Sequence, residues 1–233
     1  MDFKQFLESS LYIIRGTGWT VGLILGAMSL GLLIGLPLAS LQLYGPKPLR
    51  KLLGVYVWFF RGVPILVLLF LIYFGVYHIL EVFLMEHFQL SHSFSPFSAS
   101  LLALGLTSGA YQSQIFRGAI ISLPASQFKA ALALGFSRFG AVYHIILPQA
   151  LRHSIPAWSN EYSILLKDSA IAYTLGTIEI MARTRFMAAQ TYRHIPFYLL
   201  AGILYFILTY LGVSLLKYLQ KKTEIPGFGH SEA

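Results

Sequence analysis

Long, mostly apolar runs with few or no charges divide this chain into segments that can cross a membrane. They lie between Arg15 and Lys47, at about 52–80, at about 97–116, from Pro148 or Pro156 toward Ile180, and at 195–216. A helix needs about 20 apolar residues to cross the hydrocarbon core. The pattern therefore predicts five membrane-spanning helices. The second is interrupted by Arg-Gly-Val-Pro at 61–64, and the fourth carries polar residues.

The stretch from Ser122 to Pro148, between the third and fourth predicted spans, has the pattern of two short helices. Ser122 can cap a helix that has Pro124 in its first turn, and Gly135 suits its end, so 124–134 is predicted helical. Ser137 can cap a second helix, which Pro148 is expected to end. We call this stretch the 122–148 loop.

The distribution of Lys and Arg predicts the orientation, because cytoplasmic loops are enriched in both. Positive residues follow the first span, lie between the third and fourth, and mark the tail: Lys47, Arg50, Lys51; Arg117, Lys129, Arg138, Arg152; Lys217, Lys221, Lys222. The 81–96 loop has neither residue type. The N-terminus is therefore expected outside and the C-terminus in the cytoplasm. The arginines at 183, 185 and 193 argue against this, since they would lie outside.

Composition excludes several classes of protein. Of 233 residues, 56% are hydrophobic and only 11% are charged, whereas soluble domains have about 25% charged residues. The net charge of +8 is spread in short clusters, which suits orientation signals better than nucleic-acid binding. There is no cysteine for a disulfide, and the seven histidines lack paired metal spacing. The chain also lacks a phosphate-binding glycine-rich loop, so we expect neither an enzyme nor an ATPase.

The 122–148 loop carries a spaced motif. It reads Lys129-Ala130-Ala131, three residues, Gly135, nine residues, Ile145, one residue, Leu147-Pro148. This closely resembles the "EAA" loop of permease subunits in ATP-binding-cassette importers, with Lys129 in place of the usual glutamate. The resemblance implies a cytoplasmic loop whose short helix docks in a groove of the ATPase subunit. The coupling residues it implies are Lys129, Ala130, Ala131 and Gly135.

Three further elements resemble the polar amino acid class of these permeases. They are Arg61-Gly62-Val63-Pro64, Ala110-Tyr111 followed by Gln114 and Arg117-Gly118, and Asn160-Glu161 followed by Leu165-Leu166-Lys167-Asp168. Gln114 stands where the class has glutamate. The alternative for Arg61 is a position at the cytoplasmic interface, before a helix that starts near Val63.

Polar residues at membrane depth indicate a transport pathway. We expect the substrate pathway to be lined by Tyr111, Gln114, Asn160, Glu161 and Ser163. The alternative for the Tyr111 cluster is hydrogen bonding between helices without a ligand, and for Glu161 a structural ion-pair network. Pro156 is expected to place a helix break near Glu161, where freed backbone groups could meet a ligand.

The resemblance implies an all-α, five-span permease of the type I importer kind, forming a single transmembrane domain over 1–233 in a prokaryotic inner membrane. It also implies a second permease subunit, identical or homologous, two ATPase subunits that bind ATP and Mg, and an external substrate-binding protein. No cofactor of its own is expected. A carboxylate at Glu161 favours a cationic substrate, so basic amino acids come first and glutamine second. A secondary amino acid transporter is a weaker alternative, because no inverted repeat is visible. A purely structural membrane scaffold is weaker still, because polar pairs lie in the fourth span.

The orientation can be tested because the chain has no cysteine. Cysteines introduced at Gln89 and Phe228 should react with an impermeant thiol reagent from outside and inside respectively. Labelling of both positions from one side would contradict the five-span topology.

Overall fold

The computed structural model describes residues 2–88 and 95–223, and within them the chain is mostly helical, with no strand. Residues 89 and 228 lie outside these ranges. The helices are α1 (Phe3–Ile14), α2 (Gly16–Tyr44), α3 (Lys47–Gly62), α4 (Ile65–Phe70), α5 (His78–Phe88), α6 (Pro96–Ser122), α7 (Ala125–Ala133), α8 (Arg138–Ala141), α9 (Leu147–Ser169), α10 (Ile180–Thr191) and α11 (His194–Thr223). π-helical turns at Leu71–Tyr77 and Val142–Ile146 and a 3-10 turn at Ala170–Leu175 connect several of them.

Helices α2 and α6 form the centre of the bundle, and small residues let their backbones approach. A Cβ atom added at Gly31 would lie 2.5 Å from Gln112 Nε2, and one at Gly35 would lie 3.0 Å from the Gly109 carbonyl oxygen. In lipid, where both phases are apolar, such close packing drives helix association. Gly31 and Gly35 of α2 are therefore a packing requirement of the core.

The predicted interruption of the second span is present as a helix break. α3 ends at Gly62, and α4 begins at Ile65 after Val63 and Pro64. α3 packs against α6, where the Tyr56 hydroxyl donates to the Leu106 carbonyl at 2.6 Å. In this region the stretch that is long and apolar enough to cross a membrane is Ile65–His87, and it starts C-terminal to the predicted 52.

Three stretches of the described residues are long and apolar enough to cross a membrane: Phe3–Tyr44, Ile65–His87 and His194–Thr223. α6 and α9, which cover the third and fourth predicted spans, are not among them. Both carry polar side chains that are buried inside the protein. The all-α membrane fold is thus confirmed, while five crossings and the orientation of the termini stay predictions.

The 122–148 loop forms the two predicted short helices with different local details. Gly135 has φ +88°, in the left-handed region, and ends the first helical segment as expected. The Ser137 hydroxyl accepts the Gly140 N–H at 3.0 Å and caps α8. The capping role predicted for Ser122 is wrong, since its hydroxyl donates to the Ala119 carbonyl within α6. Pro124 stands one residue before α7.

Two expectations about prolines are wrong. Pro148 does not end the second helix, because a π-turn leads directly from α8 into α9, with Leu147 N–H donating to the Val142 carbonyl. A π-turn shifts the hydrogen-bond register by one residue, and Pro148 then occupies the first turn of α9, where an N–H is not needed. Pro156 lies inside α9 and causes no break, so Glu161 sits on a continuous helix.

Helices α1 and α10 were not predicted, and side-chain contacts in this part of the fold account for two of the three arginines that opposed the orientation. Arg183 Nη1 donates to the Tyr12 carbonyl at 3.1 Å, and its guanidinium stacks on the Tyr12 ring. Arg185 stacks on Tyr173, with 5.1 Å between guanidinium carbon and ring centroid. These cations have protein partners, so they weigh less as orientation signals than free loop cations.

Glu179 fixes α10 in the bundle. The carboxylate is fully buried and accepts the Met181 and Ala182 N–H groups at 2.8 and 2.7 Å, which caps α10. The Tyr205 hydroxyl of α11 donates to it at 2.5 Å. On the next residue, the Ile180 N–H donates to Thr20 Oγ1 of α2 at 3.3 Å. One turn of chain thus joins α2, α10 and α11.

Glu179→Ala should destabilise the helical bundle. It removes the α10 cap and leaves the Tyr205 hydroxyl buried without a partner, a loss of about 2–4 kcal/mol. A lower unfolding temperature in detergent is the expected readout. Tyr205→Phe should cost less, and the double variant should cost less than the sum of both. Glu86→Ala, on exposed α5, is the control; an equal effect there would contradict the role of Glu179.

Candidate substrate pathway and coupling loop

Glu161 lies in the interior of the bundle at the contact between α9 and α6. Its side chain is only 4% exposed. The Ser108 hydroxyl of α6 donates to Glu161 Oε1 at 2.9 Å. Since burying a carboxylate is costly, this bond and nearby positive charge must stabilise it.

Ser108 is itself held by Gln112, one helical turn further along α6. Gln112 Nε2 donates to Ser108 Oγ at 3.0 Å and to the Met28 carbonyl of α2 at 3.1 Å. Both side chains are fully buried, and Gln112 Oε1 has no hydrogen-bond partner within the described residues. Sequence reasoning missed Ser108. The four-residue spacing from Gln112 was the available signal, because it places both on one helix face.

Arg61 of α3 contributes a positive charge near Glu161. Its guanidinium carbon lies 4.9 Å from the centroid of the Tyr111 ring. The Asp168 carboxylate repels that of Glu161, and the Arg61 guanidinium attracts it more weakly. Arg61 is exposed on the single chain, so both its placement in the pathway and the alternative at the bilayer surface stay predictions. The group brings together the three resemblance elements, from α3, α6 and α9.

Gln114 lies elsewhere. Its amide nitrogen donates to Gln42 Oε1 at 2.9 Å, and its carbonyl oxygen accepts from Arg117 Nη1 at 3.3 Å. With Arg50 and Trp58 it lines a small surface pocket of about 350 Å³. Of the two glutamines in this part of α6, Gln112 is linked to Glu161 through Ser108, whereas Gln114 bonds to Gln42 and Arg117.

Asn160 and Ser163 flank Glu161 on α9 but face different surroundings. Asn160 is exposed on the single chain. Ser163 is half-buried and donates to the Ser159 carbonyl at 3.1 Å. Successive helical residues point about 100° apart, so Asn160 does not share the Ser108 contact. The pathway roles of both residues stay predictions.

The motif residues of the 122–148 loop divide between surface and interior. Lys129, Ala130 and Gly135 are exposed, whereas Ala131 is 4% exposed and packs inward. After Gly135 the chain turns back, with the Phe136 N–H donating to the Ala131 carbonyl at 3.1 Å. The result is a compact tip with Leu134 80% exposed, a shape suited to docking.

Comparison with known proteins identifies the family of this chain. Residues 11–225 match the family of binding-protein-dependent transport system inner membrane components. The chain belongs to this family. Family members are transport subunits of ATP-binding-cassette importers, and ATP hydrolysis takes place on a separate subunit. The resemblance identified in the sequence is thereby confirmed, and the chain is a multi-pass permease of the amino acid class.

Two relatives and one solved structure illustrate the similarity. The permease is 34% identical over 209 residues to the probable amino-acid permease protein YxeN of Bacillus subtilis, covering 90% of each chain. It is 35% identical over 218 residues to the putative glutamine transport system permease protein GlnP of Rickettsia typhi. The alignment covers 94% of this chain and 95% of GlnP. A crystal structure of an amino acid ABC transporter with histidines superposes with TM-score 0.78 at 29% identity, covering 95% and 99%.

Gly135→Arg should uncouple the permease from its ATPase. The left-handed backbone costs a side chain about 1–2 kcal/mol, and the arginine would project from the docking tip. We expect loss of ATPase co-purification with normal membrane insertion. Gly118→Arg is the matched control, since Gly118 is exposed on α6 with open space around its Cβ position. Unchanged co-purification and transport in the Gly135 variant would contradict the coupling assignment.

Proposed function

We propose that the permease imports basic amino acids, with Glu161 as the group that receives the substrate's cation. The buried Glu161 carboxylate, held by Ser108 at 2.9 Å, is the observation that supports this. A carboxylate out of water favours a cationic partner over a vacant or anionic one by several kcal/mol. A guanidinium, ammonium or imidazolium side chain offers that partner.

Glutamine is the second candidate, and the position of Arg61 favours it. Arg61 already interacts with Glu161, so one local cation partly compensates the carboxylate. Such a pair suits the two charges of an amino acid backbone: Glu161 for the ammonium group and Arg61 for the carboxylate, with Tyr111 holding Arg61. The relative from Rickettsia typhi is named for glutamine transport.

The proposed mechanism is alternating access in a permease pair. A second permease subunit, identical or homologous, completes the pathway, and an external binding protein delivers the amino acid. Two ATPase subunits bind ATP and Mg, dock on the 122–148 loops, and move them as they close. The N-terminus lies outside and the C-terminus in the cytoplasm. Family membership supports the kinds of partner, and the charge distribution supports the orientation.

Glu161→Gln tests the substrate assignment in proteoliposomes that contain the full importer. The variant keeps the size of the side chain and its contact with Ser108 but removes the charge. Uptake of arginine should fall about 10- to 100-fold, the equivalent of losing a charged hydrogen bond of about 1.5–3 kcal/mol. Glutamine uptake should fall less, because its side chain carries no cation.

Glu86→Gln, exposed on α5, is the control and should transport normally. Equal losses for arginine and glutamine would assign Glu161 to the α-ammonium group and support the glutamine alternative. Normal uptake of both, with the complex assembled, would make Glu161 structural and overturn the proposal.

A further inference from the structure

An apolar groove of about 870 Å³ lies between the end of α2 and the 122–148 loop. One wall is formed by α2 and the other by α7, α8 and the π-turn that follows, with Tyr44 stacked on Phe128 at 5.2 Å between ring centroids. Leu41, Phe139 and Tyr143 line the groove and are 40%, 78% and 57% exposed. This much accessible apolar surface in one groove indicates a binding partner.

The charged residues of the groove are all cationic. Arg50 and Arg138 line it, and both are exposed. Arg50 also lines the adjacent pocket that contains Arg117. The sequence has no Asp or Glu at 9–80 or at 87–160, so the residues that line the groove include two cations and no carboxylate.

The groove changes along α2 from charged to apolar, as a phospholipid does from its head group to its acyl chains. Tyr44 is the last residue of α2 and Arg50 lies in the first turn of α3, whereas Leu36 lies eight residues before Tyr44, about 12 Å along the α2 axis. An occupant thus needs an anionic head at the surface and an apolar chain that reaches into the hydrocarbon layer. Basic pockets between transmembrane helices bind anionic lipid head groups in this way.

We propose that this groove is a binding site for an anionic glycerophospholipid. Arg50 and Arg138 hold the phosphate, and one acyl chain lies along Leu36, Pro37 and Leu41. Guanidinium groups bind phosphate through paired hydrogen bonds, which makes arginine better suited than lysine here. The site places the lipid against α8, the helix that follows Gly135. The proposal does not depend on which amino acid is transported.

Protein occupants fit less well. A soluble ATPase can reach Phe139 but not the depth of Leu36. In a second copy of this chain, the acidic residues of the predicted cytoplasmic side are Glu224 and Glu232, and both lie in the tail beyond residue 223. The described residues of a second copy therefore offer no carboxylate from that side to Arg50 and Arg138.

Native mass spectrometry of the full-length permease in detergent tests the site, with phosphatidylglycerol and phosphatidylcholine of identical acyl chains as probes. Wild type should bind phosphatidylglycerol about tenfold more tightly, a difference of about 1.4 kcal/mol. The double variant Arg50→Gln with Arg138→Gln should lose this preference and keep its phosphatidylcholine affinity. Ser40→Phe, which fills the groove from the α2 side, should weaken binding of both lipids.

The double variant Arg15→Gln with Arg152→Gln is the control, because it removes the same charge from exposed positions that do not line the groove. It should retain the preference for phosphatidylglycerol. The proposal is overturned if control and groove variants lose the preference equally, or if the groove variant keeps it. It is also overturned if Ser40→Phe leaves lipid binding intact and changes the oligomeric state, which would assign the groove to a second copy.

Discussion

A polar group at membrane depth needs a partner within the protein or in a water-filled cavity, because hydrocarbon offers none. Glu161 shows the constraint most clearly. Its carboxylate is held by Ser108, Ser108 is held by Gln112, and Gln112 is anchored on the Met28 carbonyl of α2. The chain of bonds runs across three helices, so the position of Glu161 depends on how closely α2 and α6 pack.

That packing rests on the absence of side chains. At Gly31 a Cβ atom would displace the Gln112 amide, and at Gly35 it would press on the backbone of α6. Glycine elsewhere in a helix is a cost of about 1 kcal/mol relative to alanine. Here the glycines lower helix propensity but leave room for the buried hydrogen bonds from Gln112 through Ser108 to Glu161. The small residues of α2 and the polar residues of α6 therefore depend on each other.

The sequence predicted the parts of the fold that local chemistry determines. The glycine turn at Gly135, the cap at Ser137 and the helix break at 62–64 each follow from the conformational limits of one or two residues. Expectations failed where neighbouring structure overrides a local rule, as at Pro148, where a π-turn accommodates the ring. α10 was missed because its cap, Glu179, is satisfied by Tyr205 from a distant helix. Likewise, the motifs located Glu161, but only the packing of α6 against α9 brings Ser108 to it.

The failure at Pro148 bears directly on how transport is coupled to ATP. A helix ended by that proline would join the 122–148 loop to the fourth span through a flexible connection. Instead, α8, the π-turn and α9 form one continuous helical run from Arg138 past Glu161, about 35 Å from the tip to the carboxylate. In the proposed mechanism, a displacement of the loop by the ATPase reaches Glu161 without an intervening break. In that mechanism, the α2–α6–α9 contacts that hold the carboxylate also resist the displacement, so coupling and substrate binding would depend on one set of interactions.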